Sequence, residues 1–281
     1  MMLEIAAAFE HACLTELQAL KPGNVHVFAD GHGMVVEDFV KSARAASAAI
    51  AAPGLTVGQR ILGAVEATWA AVGCNTNLGI VLLAAPLIQA VQQQVPVQSI
   101  LDSLTIEDAE HTFRAILMAS PAGLGSSPKH DVREKPSVTL LQAMREAAAR
   151  DFISYQYANG FADICEFGLS RYRESMARWN SETWAATAVY LGWLVRQPDT
   201  HVARKHGEAR AEVLRVEATV HERMLMAETN PKSCMDELLR WDARLKSDGI
   251  NPGTSADLTV ATLLATRDAM KSCCKPVPKF Q

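Results

Sequence analysis

No apolar run in this chain is long enough to cross a bilayer. The longest, around residues 78–88, falls well short of the roughly 20 residues such a span needs. A basic stretch ahead of an apolar segment is also missing at the N-terminus, where Glu4 and Glu10 intervene, so residues 1–20 do not read as a signal peptide. There is no excess of positive charge; a net charge of −4 argues against a general nucleic-acid binder. The six cysteines at 13, 74, 165, 234, 273 and 274 form no CxxC pair, and a chain of this length does not need disulfide staples. Reduced thiols in a soluble, cytoplasmic protein are the expectation. Alternating strand patterns, repeats of 20–50 residues and low-complexity linkers are absent. GxGxxG, Walker A, HExxH and GxSxG are absent too, so the usual nucleotide, zinc-protease and serine-hydrolase readings lack their residues.

What is present is helical periodicity. Leu3, Ala6, Phe9, Cys13, Leu14, Leu17 and Leu20 recur at three and four residues, and Lys21-Pro22-Gly23 stops that helix. Further helices are expected from about Glu37 to Pro53, from a Thr56 cap to Val72, and from Leu78 onward with a kink at Pro86. A Gln- and Val-rich connector follows at 91–104, then helices at 106–118, 139–157, 183–195, 200–226, after Asn230-Pro231, and from Asn251-Pro252-Gly253 to Met270. Gly160, Gly168 and Trp179-Asn180 punctuate. Residues 119–137 form the longest segment of turn composition, a length more often functional or mobile than idle. The tail, KSCCKPVPKFQ, is expected to fray. The fold reads as all-α, one domain of roughly ten helices over residues 1–281.

The chain is organised around Gly73-Cys74-Asn75-Thr76-Asn77-Leu78-Gly79-Ile80. Asn75 or Thr76 can cap a helix whose apolar run, Leu78 to Leu87, leaves no polar stripe, so the helix would be buried. A buried helix with a polar start is either an ordinary capped core helix or an anion site. Four more polar clusters gather at helix ends. Lys21-Pro-Gly-Asn24-Val-His26, with Asp30 and His32 beyond, offers a helix-dipole partner or a phosphate ligand. Glu66 is a solvated acid or, facing inward, a Mg²⁺ ligand. Lys129-His130-Asp131-Arg133 is a charged loop. Asp199-Thr200-His201-Val-Ala-Arg204-Lys205-His206-Gly207 carries more ionisable groups than capping needs. Asn251-Pro-Gly-Thr-Ser-Ala-Asp257 caps the last helix, with Asp257 in its first turn.

The order KPGNVH, DFVKSA, GCNTNLG, PDTHVARKHG and NPGTSADL, spread over residues 11–265, resembles the triphosphoribosyl-dephospho-CoA synthase family. The resemblance implies a hydroxyl of an acceptor attacking C1′ of ATP, with adenine leaving and the triphosphate kept on the transferred ribose. It implies Mg²⁺, and ATP as substrate. Lys21, Asn24, Asn75, Thr76, Asn77, His130, Arg204, Lys205 and His206 would bind substrate, and Asp30, Glu66 and Asp257 the metal. Asp199 would be the base, with His201 or His26 as the proton donor. The chain departs from the citrate-lyase branch in three places. Asn77-Leu78-Gly79 replaces His-Lys-Gly, residues 123–134 replace Gly-Ala-Arg-Gly-Glu-Ala, and KPGNVH replaces KPGLVD. These changes resemble a branch found with one-carbon metabolism, so the acceptor is either dephospho-CoA or a one-carbon cofactor precursor. No nucleic-acid or membrane partner is expected; a homo-oligomer is possible. Two other classes remain open: a metal-dependent all-α hydrolase of nucleotides or phosphate esters, and a non-catalytic helical partner in cofactor assembly.

Overall fold

Apolar residues at helical spacing do fold as helices throughout the computed structural model, which describes residues 1–120, 124–126, 129–270 and 273–274. Among these residues there are fourteen α-helices and no β-strand beyond two isolated bridges in the 26–34 loop. They are α1 (Met2–Gln18), α2 (Val36–Ala51), α3 (Val57–Val72), α4 (Leu78–Gln93), α5 (Val97–Asp102), α6 (Ile106–Ala119) and α7 (Leu140–Ala147). α8 (Phe152–Ala158), α9 (Leu169–Trp179), α10 (Glu182–Arg196), α11 (Thr200–His206), α12 (Glu208–Ala227), α13 (Met235–Ser247) and α14 (Gly253–Thr266) follow.

The all-α expectation holds, but several boundaries differ. The helix expected over 139–157 is two, because Asp151 turns its carboxylate onto the backbone N–H of Ser154 (2.8 Å) and starts α8 afresh. The long charged helix expected from Thr200 breaks at Gly207, whose φ of 88° and ψ of 156° suit glycine alone. The connector at 91–104 contains the end of α4 and all of α5, and Gly168 does not interrupt: a π-helical turn, Ile164–Gly168, runs into α9. The final helix stops at Thr266, followed by a 3₁₀ turn at Asp268–Met270. Most of the tail, and Pro121, Ala122, Gly123, Ser127 and Pro128 of the long loop, lie outside the described residues.

The expectation of six free thiols is corrected: Cys165 and Cys274 form a disulfide. They are 109 residues apart, so no spacing rule could pair them. The fold brings the π-helical turn to the segment after the last helix. Cys13, Cys74, Cys234 and Cys273 are free.

Two apolar clusters share the helices. The larger gathers α1 to α10 and α14; the smaller joins the other face of α10 to α11, α12 and α13. α4 is buried on every side from Leu78 to Val91, as its unbroken apolar run requires, and α14 is buried almost as fully. Both pack against each other, and their N-terminal ends open at the seam beside α11. The Lys21-Pro22-Gly23 turn is fixed there by the Asn251-Pro252-Gly253 turn. A Cβ on Gly23 (φ 85°) would lie 3.0 Å from Pro252 Cδ and 3.1 Å from the Ile250 carbonyl oxygen. Tyr190 Oη, buried on α10, donates to the Pro22 carbonyl at 2.8 Å. No helix among the described residues is long and apolar enough to cross a membrane.

Candidate active site

A cleft of about 720 Å³ opens at this seam. Its polar end is built from helix starts. The Gly73–Ile80 stretch leads into α4, His201, Arg204 and Lys205 come from α11, and Asn251, Gly253 and Asp257 come from the start of α14. Glu16 near the end of α1, with Asn24 and His32 from the following loop, completes it. The other end is largely apolar, with Phe39 of α2, Trp69 of α3, Phe113 and Ile116 of α6 and Met144 of α7. Described residues of the long loop (124–126 and 129–133) lie along the rim, including Lys129, His130 and Arg133.

Asp257 is the carboxylate most exposed to chemistry. It accepts no hydrogen bond from any protein group among the described residues. Burial raises its pKa well above the ordinary carboxylate range, and the charges of Glu16 and Asp199 push it the same way. It can approach α4 this closely only because residue 79 is glycine: a Cβ there would fall 2.0 Å from Asp257 Oδ2. Gly253 does the same for His201, whose Nδ1 would meet a Cβ at 2.7 Å. Burial lowers the His201 pKa, with Arg204 and Lys205 acting the same way against Asp199, so its ring is neutral at pH 7.

Glu16 is buried and ion-paired to Lys21, which is only 1% exposed. Lys21 also donates to Asn24 Oδ1 (2.8 Å), and Asn24 Nδ2 donates to Asn251 Oδ1 (2.8 Å). Burial raises the Glu16 pKa and lowers that of Lys21, each resisted by the partner. Lys21 therefore lies behind the wall of the cleft and acts through Glu16 and Asn24. Asn75 Oδ1 accepts from the Leu78 N–H at 3.1 Å, which satisfies the first amide of α4 from two residues ahead of its N-cap, Asn77. Thr76 donates to Ser42 Oγ (2.6 Å) and Asn77 to Thr68 Oγ1 (2.9 Å), which ties the α4 start to α2 and α3. Arg204 faces the cleft while pairing with Asp151 at 2.6 Å.

Several expected site residues are elsewhere. Asp199 is 2% exposed and both of its oxygens are engaged. Oδ1 accepts from the N–H groups of His201 (2.9 Å) and Val202 (3.1 Å), and Oδ2 from Ser255 N–H and Oγ (both 2.8 Å). It docks α11 onto α14 and leaves no lone pair turned to the cleft. His26 is fully buried, its Nε2 3.3 Å from Asp242 Oδ1 and its Nδ1 accepting from Phe28 N–H, so it braces the loop against α13. His206 is exposed beside the Gly249 carbonyl. Asp30 is exposed and caps α2 through Val36 N–H (2.9 Å), and Glu66 is exposed on α3. Of the three acids expected to hold Mg²⁺, Asp257 alone reaches the cleft. No group of three or more His, Cys, Asp or Glu placed to hold a metal ion occurs among the described residues.

Sequence reading missed Glu16 and Asp151, and passed over His32 and Asn251 as site residues. Glu16 had a readable signal: it falls three residues after Cys13 and seven after Phe9, on the apolar stripe of α1. A carboxylate there must be paired when buried.

The model of the ATP:dephospho-CoA triphosphoribosyl transferase family matches residues 2–273. The chain belongs to that family. It is accordingly a transferase, and triphosphoribosyl transfer from ATP is the family's reaction. A crystal structure of a provisionally assigned triphosphoribosyl-dephospho-CoA synthase from Archaeoglobus fulgidus has the same fold. The identity is 24% and the TM-score 0.61, over 81% of this chain and 97% of that one. No curated protein matches the sequence. Residues 77–79, 124–126 and 129–133 line the cleft itself.

Proposed function

We propose that this chain moves the triphosphoribosyl group of ATP onto an acceptor hydroxyl, with Asp257 as the general base and adenine as the leaving group. The observation that carries this reading is Asp257, a carboxylate facing the cleft with no protein donor among the described residues and a pKa raised by burial. A carboxylate whose pKa burial has raised is a stronger base than an ordinary one, which suits it to taking a proton as the hydroxyl attacks. The bond formed is from the acceptor oxygen to C1′, and the bond broken is from C1′ to the adenine nitrogen. The hydroxyl proton goes to Asp257. The departing adenine takes up a proton from water; His201 on the same wall, neutral at pH 7, is placed to relay that proton rather than to carry it at rest. Such a transfer passes through an oxocarbenium-like state, which Glu16 and Asp257 together would stabilise electrostatically.

Arg204 and Lys205 would hold the triphosphate from α11, with Asn75, Asn77 and the α4 start on the other side. Mg²⁺ bound to the triphosphate would supply charge neutralisation, and Asp257 and Glu16 are the carboxylates that could face it. The apolar end, with Phe39, Trp69 and Phe113, suits the flat faces of the adenine and of the acceptor. We place the acceptor among one-carbon cofactor precursors, pterins included, ahead of dephospho-CoA. The support is that the substitutions at Asn77-Leu78 and in the long loop fall on the cleft lining.

The test is mass spectrometry of ATP incubated with the protein and a panel of acceptors. Free adenine and an acceptor heavier by the triphosphoribosyl group are expected. ADP or AMP without adenine would replace this reading with the phosphate-ester hydrolase.

A further inference from the structure

Outside the cleft, the feature that carries furthest is the outer face of α12. Its inner seam, Ala211, Leu214, Ala218 and Leu225, is fully buried in the smaller core, where α12 packs on α10 and α11. A second seam, Ala209, Val213, Val216, Val220, Arg223 and Ala227, is exposed along its whole length. Its spacing of four, three, four, three and four is that of heptad a and d positions. At ~100° per residue the two seams lie about 180° apart. Val213, Val216 and Val220 are 49%, 54% and 65% exposed. Valine loses side-chain freedom in a helix and is a weak helix former. A merely solvated face gains nothing from three of them, whereas a second helix seated there does.

We infer that α12 of one copy pairs antiparallel with α12 of a second copy about a two-fold axis. Charge decides the occupant and its direction. Glu212 and Thr219 flank the seam on one side, Arg210 and Glu217 on the other. A parallel pair would set Arg223 of the seam against the partner's Arg223, like against like, while Glu217 is already held by Arg244 and Trp241 of its own chain. An antiparallel pair lays Val216 over the partner's Val220 and brings Arg223 beside the partner's Glu212, twice by symmetry. Arg223 has no ion-pair partner among the described residues of its own chain. Glu212 holds only its exposed neighbour Arg215, at 2.6 Å, which a competing arginine can displace.

The seam is ~27 Å long at the rise of an α-helix, and a single helix pair buries less than the roughly 800 Å² per partner of a standard interface. The dimer should therefore exchange with monomer in the micromolar range, whichever reaction the cleft performs. Sedimentation velocity of the full chain over a dilution series is the test. Wild type is expected to shift from dimer to monomer on dilution. Val216→Glu should weaken association by about tenfold or more at an unchanged melting temperature. Arg223→Glu should weaken it as well, and the swap Glu212→Arg with Arg223→Glu should restore it. Wild type that stays monomeric throughout, or a dimer indifferent to Val216→Glu, would overturn the pairing. Failure of the swap to restore a dimer lost in Arg223→Glu would overturn the antiparallel register.

Discussion

Asp199 is buried and Asp257 half-buried, both near helix starts, and their surroundings give them opposite tasks. Asp199 is saturated by four donors, so it holds structure; Asp257 has none among the described residues, so its lone pairs are left to the cleft. Asp257→Asn should therefore lower turnover by about 10²–10⁴-fold, the usual worth of a general base, while ATP still raises the melting temperature. The same substitution should make the ligand-free protein more stable at pH 8. The folded chain binds the Asp257 proton more tightly than the unfolded chain does. Between the ordinary carboxylate pKa and the raised one it therefore holds more protons, and this group's contribution to stability falls as pH rises through that window. Asparagine removes the slope. Melting curves of the two proteins should converge near pH 4 and separate with the variant on top at pH 8; a variant less stable at pH 8 would show that the carboxylate is bound to something. Lys21 is a different case. Removing one member of a buried ion pair costs about 3–5 kcal/mol, so Lys21→Met should destabilise strongly, and adding Glu16→Gln should recover much of that loss. The sequence marks Lys21 as a phosphate ligand or a helix-dipole partner; burial behind Glu16 makes it neither.

At the scale of elements, two glycines at helix starts govern how closely the walls of the cleft meet. Gly79 lets α4 run against Asp257, and Gly253 lets α14 run against His201. Gly79→Ala puts a methyl group where Asp257 Oδ2 and Ile153 Cδ1 already sit, and both must move. Overpacking of this kind costs about 1–3 kcal/mol. The expected result is a folded protein with a lower melting temperature and a loss of turnover larger than the stability change accounts for. Full activity in Gly79→Ala would detach Asp257 from the reaction. The α4 start was readable because three capping residues stand before an unbroken apolar run. The breaks at Asp151 and Gly207 were not, since helical periodicity continues across both; a side-chain cap and a glycine-only backbone angle cut it.

Across the whole molecule, the cleft lies where the two apolar clusters meet, so a ligand filling it ties together α1, α4, α11 and α14. MgATP should raise the melting temperature, because a ligand that binds only the folded state stabilises it by mass action. Arg204 is the cation to remove: it faces the cleft and is paired at its edge with Asp151. Arg204→Ala should cut the ATP-induced shift and leave the unliganded melting temperature within a degree or two, as expected for a partly exposed pair worth about 0–1 kcal/mol. Equal shifts in wild type and variant would place the triphosphate elsewhere.

The sequence by itself determined the all-α class, the burial of α4, the five polar clusters and the resemblance to triphosphoribosyl-dephospho-CoA synthases. Each of these is written in local spacing: apolar residues three and four apart, caps before apolar runs, and short motifs in fixed order. Only the tertiary structure decided which acids and bases share a cavity. Asp30, Glu66, His26 and Asp199 have the same chemistry as Asp257 and His201 and lie in or beside equally suggestive motifs. What separates them is the direction each side chain faces and whether backbone donors from another helix fill it. Those contacts join residues such as Asp199 and Ser255, 56 positions apart, or Cys165 and Cys274, 109 apart. Pairings of that range depend on how the helices pack, which no local pattern records.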